Sequence, residues 1–196
     1  MIGFLLLSCF TLMAQQFLED KELLLQFNDP ATKERGFTAI IKKYQEKLYW
    51  HIRRMVVEHE DANDILQNMF IKVWKGLENF REDSQLYTWM YRIATNESLT
   101  FLQQQKKRKT LSISDDESGL SNQLKADKNF DINKAEWKLQ LAMQQLPDKQ
   151  RAVFNLRYYD EMPYEEMSRV LETSEGALKA SYHHAVKKIE DYILNQ

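Results

Sequence analysis

The chain has 196 residues, of which 29% are charged and 43% hydrophobic, and it contains few helix breakers, with five Gly and three Pro. This composition favours an all-α fold, and the length allows one large or two small domains. The net charge of −2 excludes a uniformly basic nucleic-acid-binding protein, and the single cysteine, Cys9, excludes an internal disulfide bond and a cysteine-based zinc site. Net charges of +2 for residues 1–110, −3 for 111–131 and −1 for 132–196 mean that any basic surface is local.

The N-terminal segment, residues 1–14 of "MIGFLLLSCFTLMAQQ", is apolar and resembles the core of a secretory signal. It lacks the Lys/Arg region that precedes such a core, and it is shorter than the roughly 20 residues that span a bilayer. Two interpretations remain open, a targeting segment and a start placed too early, with Met13 as the true first residue. We favour the second, and we expect a cytoplasmic protein without stable membrane insertion.

Residues 15–105 are predicted to form a first domain of successive amphipathic helices. "GFTAIIKKYQEKLYWHIRRMV" has apolar residues at helical spacing: Phe37, Ile40, Ile41, Tyr44, Leu48 and Ile52. "DANDILQNMFIKVWKGL" has a second such row: Leu66, Phe70, Val73 and Leu77. After a break at "ENFREDSQ", "LYTWMYRIATNESLTFLQQQKKRK" predicts a third helix that ends in cations, as helix C-termini prefer.

The helical pattern stops in residues 106–131, which are rich in Ser, Asp and Asn beyond Thr110 and which we interpret as a linker. It resumes in residues 132–196, a predicted second domain. There Pro163 opens a short helix that ends near Leu171, and Ser174 is a plausible N-cap of a longer helix. The longer helix has its own apolar row: Leu178, Tyr182, Ala185, Ile189 and Tyr192. This arrangement is typical of a helix-turn-helix, although a helical hairpin in an ordinary bundle has a similar sequence pattern.

Two blocks of sequence together resemble a known family. "DANDILQNMFIKVWKGLENFREDSQLYTWMYRIATNESLTFL" resembles region 2, and "LPDKQRAVFNLRYYDEMPYEEMSRVLETSEGALKASYHHAVKKI" region 4, of the extracytoplasmic function (ECF) sigma factors of bacterial RNA polymerase. The resemblance covers roughly residues 17–105 and 132–194. It implies a sigma factor that binds core RNA polymerase, reads the −10 and −35 promoter elements and helps to melt DNA, with an anti-sigma factor as a further partner.

The resemblance places the contact with core polymerase on the second predicted helix, at Asp64, Gln67, Asn68 and Trp74. The helical spacing agrees, because Asp64, Gln67, Asn68 and Ile71 share the face opposite the apolar row. Trp74 lies at the edge of that face and is either an interface hot spot or an ordinary core residue. Asn68 replaces an acidic residue that is common in the family, which reduces its expected share of the contact.

The resemblance also assigns −10 recognition and melting to the segment that follows. Unstacked bases can be held on aromatic rings and their phosphates by cations, and the loop "REDSQ" would capture a flipped base. The implied contacts are Phe80, Arg81, Ser84, Tyr87, Trp89, Tyr91, Arg92 and Asn96. Because several of these aromatic residues must also build the core, we expect about half of them to touch DNA.

For the −35 element the resemblance places the last long helix in the major groove. The implied contacts are Ser174, Gly176, Lys179, Ser181, His183, His184 and Lys187. Relatives often have arginine at positions 181 and 184, so Ser181 and His184 weaken the expected contact. Adjacent histidines on a helix point about 100° apart, so we expect no metal site there.

Two short charged segments have uses that the sequence leaves open. "KKRK" at residues 106–109 suits phosphate contacts or is a solvated helix end, and "SDDES" at 114–118 imitates nucleic acid in a polymerase channel or is a plain tether. We expect no cofactor, no metal and no enzymatic activity, because no catalytic constellation or phosphate-binding loop is present. The alternative function is a dimeric helix-turn-helix regulator that binds an operator, and an exported or anchored protein is a weaker alternative.

Overall fold

The computed structural model describes residues 20–111 and 134–195. The predictions for the N-terminal segment and for "SDDES" lie outside these ranges. All regular secondary structure within them is helical, which confirms the all-α prediction. No described helix combines the length and the apolar character that are needed to cross a membrane.

The helices follow the predicted order. The first domain contains α1 (20–28), α2 (Lys33–Val56), α3 (His59–Leu77) and α4 (Leu86–Leu111). The second contains α5 (Lys134–Gln144), α6 (Asp148–Tyr158), α7 (Tyr164–Leu171) and α8 (Glu175–Leu194). Helix α4 continues through residues 106–111, which we assigned to the linker. Lysine and arginine favour helix, and cations at a helix C-terminus are stabilised by the helix dipole, which accounts for the longer helix.

The first domain packs α2, α3 and α4 around one apolar core. Its fully buried side chains include Ile40, Leu48 and Ile52 of α2, Met69 of α3 and Met90 of α4. The predicted inward row of α3 is largely correct, since Phe70, Val73 and Leu77 are buried whereas Leu66 is only half-buried. The packing of α1 on α2 depends on Gly36, because a Cβ atom there would lie 2.6 Å from the backbone nitrogen of Phe27.

In the second domain α7, a tight turn and α8 form the predicted helix-turn-helix. Helix α7 begins after Pro163, and the turn begins at Glu172, whose φ of 51° is left-handed. Ser174 caps α8, because its side chain accepts a hydrogen bond from the backbone N–H of Ala177. The buried residues Leu178, Ala185 and Ile189 hold the inner side of α8 against the domain.

The two domains pack directly against each other. Second-domain side chains belong to the same buried cluster as the core of the first domain: Leu156, Met162, Met167 and Val170. Helix α4 lies against α7, and the C-terminal part of α2 lies against α6. The described chain therefore has a continuous apolar core that crosses the domain boundary.

Candidate polymerase and nucleic-acid interfaces

The outer face of α3 combines polar groups with one exposed apolar side chain. Asp64, Gln67 and Asn68 are exposed as predicted, and Ile71 beside them is 52% exposed. Partial burial, together with repulsion from Glu58, Asp64 and Glu60, raises the pKa of the Asp61 carboxyl. An exposed isoleucine among polar groups is suited to a protein interface, so the structure brings together three of the four predicted polymerase-binding residues.

Trp74 is less exposed than the polymerase-interface interpretation predicted. Its indole packs edge-on against Phe27 at 5.3 Å and against Phe37 at 4.9 Å between ring centroids. The Nζ atom of Lys33 lies 5.1 Å from the indole centroid. Trp74 is half-buried and belongs largely to an aromatic cluster between α1, α2 and α3, because α1 supplies Phe27 at this point.

Phe80 and Trp89 are brought together where the loop after α3 meets the start of α4. Their ring centroids are 5.1 Å apart, and both residues are half-buried. Gly76 leaves the room that Trp89 occupies, because a Cβ atom at Gly76 would lie 2.8 Å from Cζ2 of the indole. Arg81 is exposed and Ser84 half-buried in the adjoining loop. These residues form a partly open aromatic surface with a cation beside it, which is what base stacking requires.

Tyr91, a predicted −10 contact, is buried where the first domain meets the second. It is 4% exposed, its ring lies 5.0 Å from that of His51, and its hydroxyl donates to Oδ1 of Asp160 at 3.2 Å. Burial and the adjacent Asp160 carboxylate raise the pKa of Tyr91 far above its usual value. Tyr91 cannot stack on a base in this arrangement, because the second domain covers it.

The remaining predicted −10 residues of α4 differ in solvent exposure. Tyr87 is half-buried, and burial raises the pKa of its phenol. Asn96 is exposed. Arg92 is also exposed, but its guanidinium is paired with the carboxylate of Glu172 in the turn of the helix-turn-helix. The crevice beside this pair is lined by both domains: Asp83, Ser84, Thr88, Trp89, Arg92, Ser168, Arg169 and Glu172.

A buried polar network joins the domains behind this surface. The Nδ1 and Nε2 atoms of His51 lie 2.8 Å from Oδ2 of Asp160 and 2.9 Å from Oγ1 of Thr95. Asn155 donates to the backbone oxygen of His51 at 2.8 Å, and Arg151 to that of Met55 at 2.7 Å. Burial lowers the pKa of the Arg151 guanidinium.

The sequence interpretation missed this network. The available signal was the polar character of His51 and Thr95 at positions that face inward on α2 and α4. A buried polar side chain needs a partner: Thr95 finds His51 and the backbone oxygen of Tyr91 within the first domain, whereas His51 also contacts Asp160 and Asn155 of the second domain.

The predicted −35 residues lie along the start and outer side of α8. Gly176, Lys179, His183, His184 and Lys187 are exposed, and Ser181 is half-buried. Lys179 forms an exposed ion pair with Glu175 at 3.3 Å, and its Nζ atom lies 5.4 Å from the ring of Tyr164. The rings of His183 and His184 are 6.1 Å apart. Among residues 20–111 and 134–195 no group of histidine, cysteine and carboxylate side chains could hold a metal ion.

An aromatic cluster supports α8 from inside the second domain. The ring of Phe154 stacks against those of Tyr158 and Tyr182, at 5.0 Å and 5.8 Å. Burial raises the pKa of Tyr182, and it raises the pKa of Tyr159 to about 12. The guanidinium of Arg54 lies 4.0 Å from the centre of the Tyr159 ring, so this cluster also contacts the first domain.

Comparison with known families decides the identity. The family described as sigma-70 region 2 matches residues 40–108, and the family described as sigma-70 region 4 matches residues 136–189. The chain belongs to the sigma-70 family. Together these matches cover α3, α7, and most of α2, α4 and α8, in the order that the resemblance implied. This sigma factor directs transcription initiation with RNA polymerase at promoter DNA, and a dimeric operator-binding regulator is not favoured because it has no use for region 2.

Curated relatives place the sigma factor in the ECF group. It is 28% identical over 165 residues to the RNA polymerase sigma-H factor of Pseudomonas aeruginosa, covering 80% of this chain and 86% of that one. It is 26% identical over 168 residues to the ECF RNA polymerase sigma-E factor of Escherichia coli K12, covering 82% and 87%. Both relatives therefore match across the two domains and the linker.

Solved structures agree with the fold of this sigma factor. CnrH, solved in complex with the cytosolic domain of CnrY, matches with a TM-score of 0.66 and 17% identity over 91% of this chain and 99% of that one. The sigma factor RpoE of Bartonella quintana, solved in complex with the anti-sigma factor NepR, matches with a TM-score of 0.62 and 17% identity over 80% and 96%.

Proposed function

We propose that the three surfaces described above divide the work of this sigma factor. The outer face of α3 binds core polymerase, the loop before α4 together with the start of α4 reads and melts the −10 element, and the outer side of α8 reads the −35 element. The proposed domains are residues 15–105 and 132–196. The observation that carries the proposal is the exposure of Asp64, Gln67, Asn68 and Ile71 on one side of α3.

The −35 contact is proposed to be modest in strength. Lys179 and Lys187 are the exposed lysines among the predicted contacts, and His183 and His184 stand between them. The exposed N-terminus of α8 also offers backbone N–H groups that can donate hydrogen bonds to a phosphate. With few cations, this domain alone would make few phosphate contacts, and its DNA binding would depend only weakly on salt concentration. Polymerase must therefore supply much of the affinity for DNA.

The −10 role is proposed for the Phe80 and Trp89 pair with its flanking polar groups. Opening a duplex costs stacking energy, which aromatic rings offset by stacking on the exposed bases. Arg81 and Asn96 are exposed and close in sequence to this pair, so they are proposed to hold phosphate and base edges.

The cellular setting is part of the same proposal. Sigma factors are initiation factors without a catalytic centre, and we propose that this chain has none and works in the cytoplasm, where its polymerase is. The RpoE protein of Bartonella quintana has been solved in complex with an anti-sigma factor. We propose that an anti-sigma factor also binds this chain.

The test is transcription with purified parts. Core polymerase and genomic DNA from the organism that encodes the chain are incubated with and without the purified protein, and transcript starts are mapped. We expect starts that depend on the protein and share −10 and −35 sequences. A protein that neither binds core polymerase nor adds defined starts would contradict the proposal.

A further inference from the structure

The C-terminal end of α4 carries a run of cations that none of the three proposed surfaces uses. Residues 98–111 contain four basic residues, Lys106 to Lys109, and no acidic residue. We propose that the basic end of α4, defined by Lys106, Lys107 and Arg108, binds phosphates of the promoter spacer, the duplex between the −10 and −35 elements, without reading its sequence. The inference rests on the −10 role proposed for the start of α4.

The basic end lies beyond the part of α4 that packs in the core. Leu102, at 6% exposure, is the last buried side chain among the described residues of this helix. The side chains from Lys106 to Arg108 are exposed, although the helix continues to Leu111. Burial of apolar surface therefore does not account for these last turns, and their cations are accessible to a partner.

The helix dipole accounts for a cation at this end but not for a run of four. The dipole favours a cation in the last turn, but the gain is small at an exposed site and is screened by salt. Like charges one turn apart on a helix repel each other, which opposes that gain. Lys106 is paired with Asp148 of α6 at 2.7 Å, whereas no carboxylate within residues 20–111 and 134–195 is paired with Lys107 or Arg108. A polyanion would relieve the repulsion, and DNA is the polyanion that the start of the same helix is proposed to bind.

The basic end also carries more net charge than the helix proposed to read the −35 element. Helix α8 contains three lysines and three acidic residues between Glu175 and Leu194, so its formal charge is zero. The electrostatic part of DNA affinity grows with the number of phosphates that cations neutralise, whatever the base sequence. The basic end is therefore better suited than α8 to hold duplex DNA without sequence preference.

The length and direction of α4 place the basic end beside the spacer. Trp89 and Lys107 are 18 positions apart on this helix, which corresponds to about 27 Å, or about eight base pairs of duplex. From the basic end the chain continues to the domain proposed to read the −35 element, which lies upstream of the −10 element. The contact is therefore expected on the upstream side, within about eight base pairs of the −10 element, where the DNA is still duplex.

The first experiment measures the salt dependence of promoter binding with reconstituted holoenzyme on a mapped promoter. The variant carries Lys107→Gln and Arg108→Gln, which leaves the ion pair of Lys106 in place and introduces a good helix former. The matched control carries Lys42→Gln and Lys47→Gln, which removes two exposed charges from α2.

We expect the slope of log affinity against log salt to fall by about 1.8 in the variant, because each lost phosphate contact accounts for about 0.9. The control should keep the wild-type slope. Equal slopes for the variant and the control would overturn the phosphate contact.

The second experiment locates the contact along the promoter. Fragments carry a block of uncharged methylphosphonates in place of phosphates, either in the spacer next to the −10 element or downstream of the start site. The spacer block should weaken binding of wild-type holoenzyme and should cost the Lys107 and Arg108 variant much less, because the interacting cations are already absent. A loss shared equally by wild type and variant would overturn the spacer contact, as would a difference confined to the downstream block.

A third measurement separates this inference from the proposed function. The free chain is titrated against a labelled duplex without promoter sequences, and wild type should show a steeper salt slope than the variant. A chain that keeps this difference but gives no transcript starts with polymerase would support the basic end as a DNA-binding surface and contradict the proposed function. Defined transcript starts with equal slopes for wild type and variant would support the proposed function and overturn the spacer contact.

Discussion

Thr88 of α4 and Glu166 of α7 share a buried hydrogen bond of 2.6 Å between residues 78 positions apart in the chain. The bond joins the segment that resembles the melting element of region 2 to the first helix of the helix-turn-helix of region 4. The turn of α4 that contacts the second domain therefore also carries Tyr87 and Trp89, two of the proposed −10 residues. We expect substitutions of Glu166 in region 4 to change the surroundings of these proposed −10 residues in region 2.

Asp64→Ala should weaken binding to core polymerase. The side chain is exposed on the outer face of α3, so its loss removes a contact without disturbing the core. We expect roughly a fivefold higher dissociation constant, equivalent to about 1 kcal/mol, and an unchanged melting temperature. Surface-immobilised core polymerase provides the measurement. Glu46→Ala, which removes an exposed acid from α2, serves as the control, and equal affinities for the two variants would argue against an α3 interface.

Lys179→Ala should flatten the salt dependence of promoter binding. In the free chain Lys179 pairs with Glu175 at an exposed site, where an ion pair is weak and easily exchanged for a phosphate. One lost phosphate contact lowers the slope of log affinity against log salt by about 0.9. The slope is measured with reconstituted holoenzyme on a mapped promoter, and Lys138→Ala on α5 is the control. A slope equal to that of wild type would show that Lys179 does not contact phosphate.

The order, type and approximate ends of the helices followed from local patterns in the sequence. Pro163 precedes α7 and Ser174 caps α8 as predicted, because such signals act on the backbone within a few residues. The exposed outer face of α3 also followed from spacing alone, since residues three and four apart share one side of a helix. The predicted −35 residues from Gly176 to Lys187 likewise lie on one helix, α8, which Ser174 caps.

The relation between the domains could not be predicted in this way. His51 and Asp160 are 109 positions apart, and no local pattern pairs them. Spacing likewise could not tell whether the aromatic residues of α4 face solvent or the second domain, so Tyr91 was assigned to DNA although it is buried. Trp74 was ambiguous because Phe27, which packs against it, comes from a helix that we had not delimited.

Two glycine substitutions should shift stability in opposite directions. Gly36→Ala places a Cβ atom 2.6 Å from the nitrogen of Phe27 and 2.8 Å from the carbonyl carbon of Gln26, and neither backbone atom can move easily. We expect a loss of about 1–3 kcal/mol, as is usual for overpacking. Gly176→Ala meets nothing within 4 Å in the first turn of α8, so it should stabilise the fold by up to about 1 kcal/mol. Urea unfolding measures both, and a loss of stability in both variants would contradict the packing described.

Tyr159→Phe should reduce the loss of stability at alkaline pH. Burial raises the pKa of Tyr159 to about 12, above the 10.0 of an exposed tyrosine. The folded state therefore favours the neutral phenol, and this contribution is complete below pH 10 and is lost as the pH rises through about 12. Phenylalanine keeps the ring beside Arg54 but cannot ionise, so the difference in unfolding free energy between pH 9 and pH 11 should be smaller than in wild type. Tyr158→Phe, which removes a hydroxyl from an exposed neighbouring ring, is the control. If the Tyr159→Phe chain loses as much stability as wild type across this range, the ring is not buried as described.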